Sequence, residues 1–120
     1  MPRRHALAVE DDSKVADLLV ECLQAEGFRG STVGYGQKVL EMALQDRPEV
    51  IVLDIVLPGG SGLEVLQQLK GHPATHDIPV VVVSGMDVPE KSLAMGAAAH
   101  FTKPFDIASL RKFLRQIAPG

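Results

Sequence analysis

Short, wholly apolar runs alternate along the chain with longer stretches in which apolar residues recur every three or four positions. Ala6-Leu7-Ala8-Val9 is too brief for a helix and is ended by acids, which predicts a buried strand. Ser13 then offers a helix N-cap, and Val15, Leu18, Leu19, Cys22 and Leu23 keep helical spacing up to Gly27. Residues 28–33 form a weaker second strand, with Gly34 and Gly36 in the loop behind it. Val39, Leu40, Ala43 and Leu44 make one face of a second helix that stops before Pro48. Over residues 49–54, Val50-Ile51-Val52-Leu53 run apolar without a break up to Asp54, the pattern of a central strand covered on both faces. Residues 58–62, Pro-Gly-Gly-Ser-Gly, read as a loop. A third helix follows from about Leu63 to Lys70, with Leu63, Leu66 and Leu69 inward and Gly71 closing it. Residues 78–83 are a β-branched strand that tolerates Pro79 at its start. A short helix from Pro89 to Met95 starts with Pro at its first position. A fifth strand over 98–102 and a last helix over 107–117 complete the series.

Strands that alternate with helices predict an α/β fold, a doubly wound five-stranded parallel sheet with helices on both faces. At 120 residues the chain is the size of one domain, expected to span 1–120 with no linker or repeat. The single cysteine, Cys22, falls on the apolar side of the first helix, so it is expected in the core rather than in a disulfide or a metal site. A net charge of −3, with Arg3, Arg4, Lys112 and Arg115 scattered, leaves no basic stripe, and no nucleic-acid partner is expected. No apolar run approaches the roughly 18 residues of a membrane span, and the four apolar residues after His5 are too few for a signal peptide. Both observations lead to the expectation of a cytoplasmic protein without membrane attachment, with Met1 as a true N-terminus.

The chemistry-bearing residues gather where strands run out. They are Glu10-Asp11-Asp12, Asp54, Ser84-Gly85 and Lys103-Pro104. In an open parallel sheet, ligands bind beyond the carboxyl ends of the strands. Glu10, Asp11 and Asp54 are therefore expected to converge, and three carboxylates in one crevice require a proton or a cation. Magnesium suits such a set, because it takes oxygen ligands and commonly uses one or two carboxylates plus a phosphate. Asp12 reads more simply as a turn residue or helix cap. Asp54 ends a strongly apolar strand, where an unpaired carboxylate is costly. A carboxylate is also a competent phosphoryl acceptor. The four histidines, His5, His72, His76 and His100, show no metal-ligand spacing and read as scattered surface residues, His100 excepted.

These motifs, with Asp54 followed by Leu57-Pro58-Gly59 and Gly62, and with Lys103-Pro104-Phe105, resemble the receiver domain of two-component response regulators. The resemblance covers essentially the whole chain, and stand-alone single-domain receivers are its nearest form. It implies a flavodoxin-like strand order of 2-1-3-4-5. It makes Asp54 the phosphorylated residue, with Asp11, Glu10, Asp54 and the backbone carbonyl of Val56 around Mg2+. Ser84 and Lys103 become the phosphoryl-binding pair, and the Lys103–Pro104 bond is expected to be cis. Ser84 and His100 take the switch positions, while Val56 and Met86 take the positions that tune hydrolysis. The implied donor is a sensor histidine kinase or histidine phosphotransfer protein, and the downstream partner is an unknown protein target. Such a chain is a signalling domain that catalyses only its own phosphorylation and dephosphorylation.

Two departures modify that expectation. His100 stands where the family usually has Tyr or Phe, and it is smaller and titratable. Nineteen positions separate Ser84 from Lys103, roughly three fewer than the family pattern, or about one helical turn. The fourth helix is therefore expected to be shortened. This feature favours a phosphorylation-independent pseudo-receiver, against which the complete acid, hydroxyl and lysine set counts. A metal-dependent phosphohydrolase is the third reading. Aspartyl-nucleophile enzymes of that kind usually carry a second acid close behind the first, whereas Ile55 and Val56 follow Asp54.

Overall fold

In the computed structural model, which describes residues 4–117, the apolar runs become strands and the periodic stretches become helices. Met1 and Arg3 lie outside the described residues. The order is β1 (Arg4–Val9), α1 (Ser13–Ala25), β2 (Phe28–Val33), a 3-10 turn (Gly36–Lys38), α2 (Val39–Asp46), β3 (Val50–Leu53), β4 (Val56–Leu57) and β5 (Gly60–Ser61). It continues with α3 (Gly62–Gly71), β6 (Val80–Ser84), α4 (Pro89–Ala94), β7 (Ala99–Thr102) and α5 (Ile107–Ile117). The large sheet runs β2-β1-β3-β6-β7 with every neighbour parallel. Counting only its own strands, the order is 2-1-3-4-5.

The two-residue period of the strands splits the core into two layers. Leu7, Val9, Ile51, Leu53, Val80 and Val82 pack with Val39, Ala43, Val65, Leu66 and Leu69 of α2 and α3. Ala6, Ala8, Val50, Val52, Val81 and Val83 pack with Leu19, Cys22, Leu23, Leu110 and Leu114 of α1 and α5. Both faces of β1, β3 and β6 are thus covered, which is why their sequences are continuous rather than alternating. Glu26, at the C-cap of α1, receives Arg111 Nε at 2.9 Å and Arg115 Nε at 2.8 Å, and so ties α1 to α5. Among the described residues, no helix is long and apolar enough to cross a membrane.

Several boundaries differ from the sequence reading. Asp12, which also read as a turn residue or helix cap, takes the cap of α1 in place of Ser13: its backbone is extended, and its Oδ1 accepts from the Lys14 and Val15 N–H groups at 2.9 and 3.2 Å. A carboxylate satisfies two orphan amides there and also meets the positive end of the helix dipole. The segment read as a plain loop carries a small antiparallel hairpin of β4 and β5, turned by Pro58 and Gly59 with Gly59 at φ +77°. Ser61 Oγ accepts from the Leu63 N–H at 3.1 Å, so α3 starts one residue early, at Gly62. β6 starts at Val80 rather than Ile78, because the Ile78 N–H is taken by the Thr75 carbonyl and Pro79 has none. α4 is indeed short, at six residues. His5 is not a surface residue: it is half-buried, with Nε2 2.8 Å from Ser31 Oγ.

Candidate functional site

Because β1, β3, β6 and β7 are parallel, the residues that follow them all emerge at one end of the sheet. Backbone hydrogen bonds carry the ladder one residue further and fix those positions. The Glu10 N–H donates to Val33 C=O at 3.0 Å, Asp54 N–H to Val9 C=O at 2.9 Å and Lys103 N–H to Ser84 C=O at 2.8 Å. Gly62 abuts the chain behind Asp54, where a Cβ would stand 2.3 Å from Ile55 Cα and 2.5 Å from the Asp54 carbonyl oxygen.

The structure brings Glu10, Asp11 and Asp54 together, with carboxylate oxygens of all three within 4.8 Å of one another. Glu10 and Asp54 are each only 4% exposed, while Asp11 is open to solvent. Lys103 Nζ lies 3.0 Å from Glu10 Oε2 and 3.0 Å from Asp54 Oδ2. Asp54 Oδ1 accepts from the Val56 N–H at 2.9 Å. The Lys103–Pro104 peptide bond is cis. Above these groups opens a cleft of about 550 Å³, bordered by Asp11, Val56, Pro58, Gly85 and Lys103. A smaller hollow of about 250 Å³, between Gln37 and the β4–β5 hairpin, shares no residue with it.

Burial is the main reason that the Glu10 carboxyl is pushed up to about 7, with the neighbouring Asp54 adding to the effect and Lys103 opposing it. Burial also favours neutral Asp54, but hydrogen bonds involving Glu10, the Val56 N–H, Ser84 and Lys103 outweigh it and hold that carboxyl below its usual range. For Lys103, desolvation is likewise outweighed, by Glu10 and Asp54, and its ammonium is held more firmly than normal. Burial and the neighbouring Asp54 thus favour the neutral form of Glu10, while their surroundings favour the charged forms of Asp54 and Lys103.

Ser84 is fully buried at the end of β6. Met86 and Val56 stand 45% and 53% exposed, and Val56 borders the cleft. His100 points elsewhere, with Nδ1 3.0 Å from Ser92 Oγ of α4 and Nε2 buried without a partner. Sequence reasoning missed one contact here: Thr102 Oγ1 donates to Asp87 Oδ1 at 2.9 Å. Neither residue belongs to an apolar pattern or a motif, so nothing in the sequence signalled the pair.

An acid pocket at the carboxyl end of a 2-1-3-4-5 parallel sheet, with a lysine closing it, defines a class of phosphate-handling signalling domains. Residues 6–115 match the family described as response regulator receiver domain. Sporulation initiation phosphotransferase F of Bacillus subtilis (strain 168) is 30% identical over 122 residues, which cover 99% of this chain and 97% of that protein. Phosphate regulon transcriptional regulatory protein PhoB of Escherichia coli (strain K12) is 31% identical over 97% of this chain, which spans 54% of that longer relative. Among solved structures, the response regulator receiver domain (CheY-like) from Methylobacillus flagellatus matches with a TM-score of 0.85 at 30% identity, covering 98% of this chain and 100% of that one. The chain belongs to the response regulator receiver domain family. It is a signalling domain of two-component systems rather than an enzyme of the ordinary kind.

Proposed function

We propose that the chain is a single receiver domain over residues 1–120, working in the cytoplasm, that accepts a phosphoryl group on Asp54. The donor is the phosphohistidine of a sensor histidine kinase or histidine phosphotransfer protein. An Asp54 carboxylate oxygen attacks phosphorus, the P–N bond to the donor imidazole breaks, and that nitrogen keeps the electron pair and takes a proton. The product is an acyl phosphate on Asp54. The observation that carries this reading is the buried Asp54 carboxylate, held ionised beside Lys103 Nζ at the floor of an open cleft.

The donor set fits Mg2+. Three carboxylates offer hard oxygen atoms within 4.8 Å of one another, and this cation favours carboxylate, water and phosphate ligands. Asp11, Asp54, Glu10 and the Val56 carbonyl are its candidate ligands. When bound, the cation neutralises charge on the phosphoryl oxygens. Lys103 does the same from the protein side, and Ser84 donates a hydroxyl proton to a phosphoryl oxygen. Val56 and Met86 are apolar and present no general base to attacking water, so hydrolysis is slow. Signalling to a protein target then proceeds through Ser84, His100 and the short α4.

The test is intact mass after treatment with a small phosphodonor and magnesium. The parent gains one phosphoryl group and Asp54→Asn gains none, because the amide is no nucleophile. Equal uptake by Asp54→Asn refutes the assignment.

A further inference from the structure

Ser84 Oγ accepts a hydrogen bond from the Met86 N–H at 3.2 Å. That contact uses a lone pair of the hydroxyl and leaves its proton available for donation. The position of the Met86 amide therefore helps to set where the Ser84 proton points. Packing holds the segment only at Val88, which meets the core and donates its N–H to the Met86 carbonyl at 3.2 Å, whereas Gly85, Met86 and Asp87 are exposed and the space around Gly85 is open. One side-chain tie does reach the loop, from the half-buried Thr102 hydroxyl to the Asp87 carboxylate at 2.9 Å. Thr102 is the β7 residue in register with Ser84, and its neighbour Lys103 donates a backbone N–H to the Ser84 carbonyl. The chain of contacts closes on itself, from Ser84 through Met86, Asp87 and Thr102 and back across the strand pair to Ser84.

We propose that Asp87 and Thr102 are positioning residues for phosphoryl transfer, their hydrogen bond holding residues 85–88 so that the Met86 amide aims the Ser84 hydroxyl at the phosphoryl oxygens on Asp54. Neither side chain touches the phosphoryl group. The inference rests on the roles proposed above for Asp54 and Ser84.

The experiment follows phosphorylation of the full chain by acetyl phosphate with magnesium, read by intact mass over a range of donor concentrations. Ser84→Ala sets the full loss due to the hydroxyl. Asp87→Ala and Thr102→Val are each expected to lower the maximal rate by about 3–10-fold, the effect of losing one solvent-exposed hydrogen bond of ordinary net strength. The half-saturating donor concentration stays unchanged, and Thr102→Ser keeps the parental rate because it keeps the hydroxyl. In the Ser84→Ala background, Asp87→Ala adds nothing further, since residues that act through one group are not additive. A parental rate in Asp87→Ala overturns the proposal, as does a loss that persists undiminished without the Ser84 hydroxyl. Failure of the underlying reading looks different: Asp54→Asn takes up phosphate, or Ser84→Ala reacts at full speed, and either result removes the proposal with it.

Discussion

At the scale of single residues, two adjacent aspartates have opposite surroundings. Asp12 is occupied by the first amides of α1, whereas the solvent-open Asp11 places an oxygen among those of Glu10 and Asp54. Asp11→Ala is therefore expected to abolish the response of NMR shifts to magnesium while leaving thermal stability near the parent's. Asp12→Ala should keep the magnesium response and lose about 1 kcal/mol of stability, the usual cost of an N-cap acid. Reversed results would place the ligand one residue further along. The same pair shows where sequence reading stops. A carboxylate after an apolar strand was visible, and so was the convergence of Glu10, Asp11 and Asp54. Which oxygen meets an amide depends on how the chain turns into α1, and Ser13 was an equally good cap by residue type.

At the scale of elements, the strand order came from the resemblance to the receiver family, whereas the boundaries of β2 and α5 were legible because burial on one or both faces imposes a period on them. The β4–β5 hairpin was not, since two-residue strands leave no period to read. What fixes it is steric: α3 starts against the backbone behind Asp54, with room only for glycine at position 62. Alanine ordinarily favours a helix over glycine by about 1 kcal/mol. Here Gly62→Ala is expected to destabilise by at least about 2–3 kcal/mol, because its Cβ meets backbone atoms that cannot rotate away. Chemical denaturation measures the loss, and phosphoryl uptake should fall with it as Asp54 is displaced. A variant as stable as the parent would mean that α3 can withdraw from β3 at little cost. The shortened α4 was foreseen from the Ser84–Lys103 spacing set against the family pattern. Its contact with His100 through Ser92 was not, because only the folded register brings those positions together.

At the scale of the whole molecule, α5 is held to α1 by its apolar stripe and by Glu26 between two arginines. The paired Arg115 and Arg111 guanidiniums keep the Glu26 carboxyl below its ordinary value against the opposing effect of burial. A depressed carboxyl contributes stability above its unfolded pKa of 4.5 and loses it as pH falls through the lower folded value. Glu26→Gln should thus cost about 1 kcal/mol near neutrality, a figure kept small because the arginines are 41% and 63% exposed. The cost should vanish in acid, as thermal melts at pH 7 and pH 3 would show; a pH-independent difference would mean that packing, not charge, accounts for it. The other long-range tie has a consequence in time. Lys103 lies 93 positions from Glu10 and 49 from Asp54, so ribosomal synthesis produces both acids well before their counter-charge. Until β7 docks, two carboxylates face each other with no cation of the protein's own, and the half-made sheet gains nothing by closing over them. The acid pocket therefore gains Lys103 last, and its charge is balanced from within the protein only once the edge strand β7 is in place.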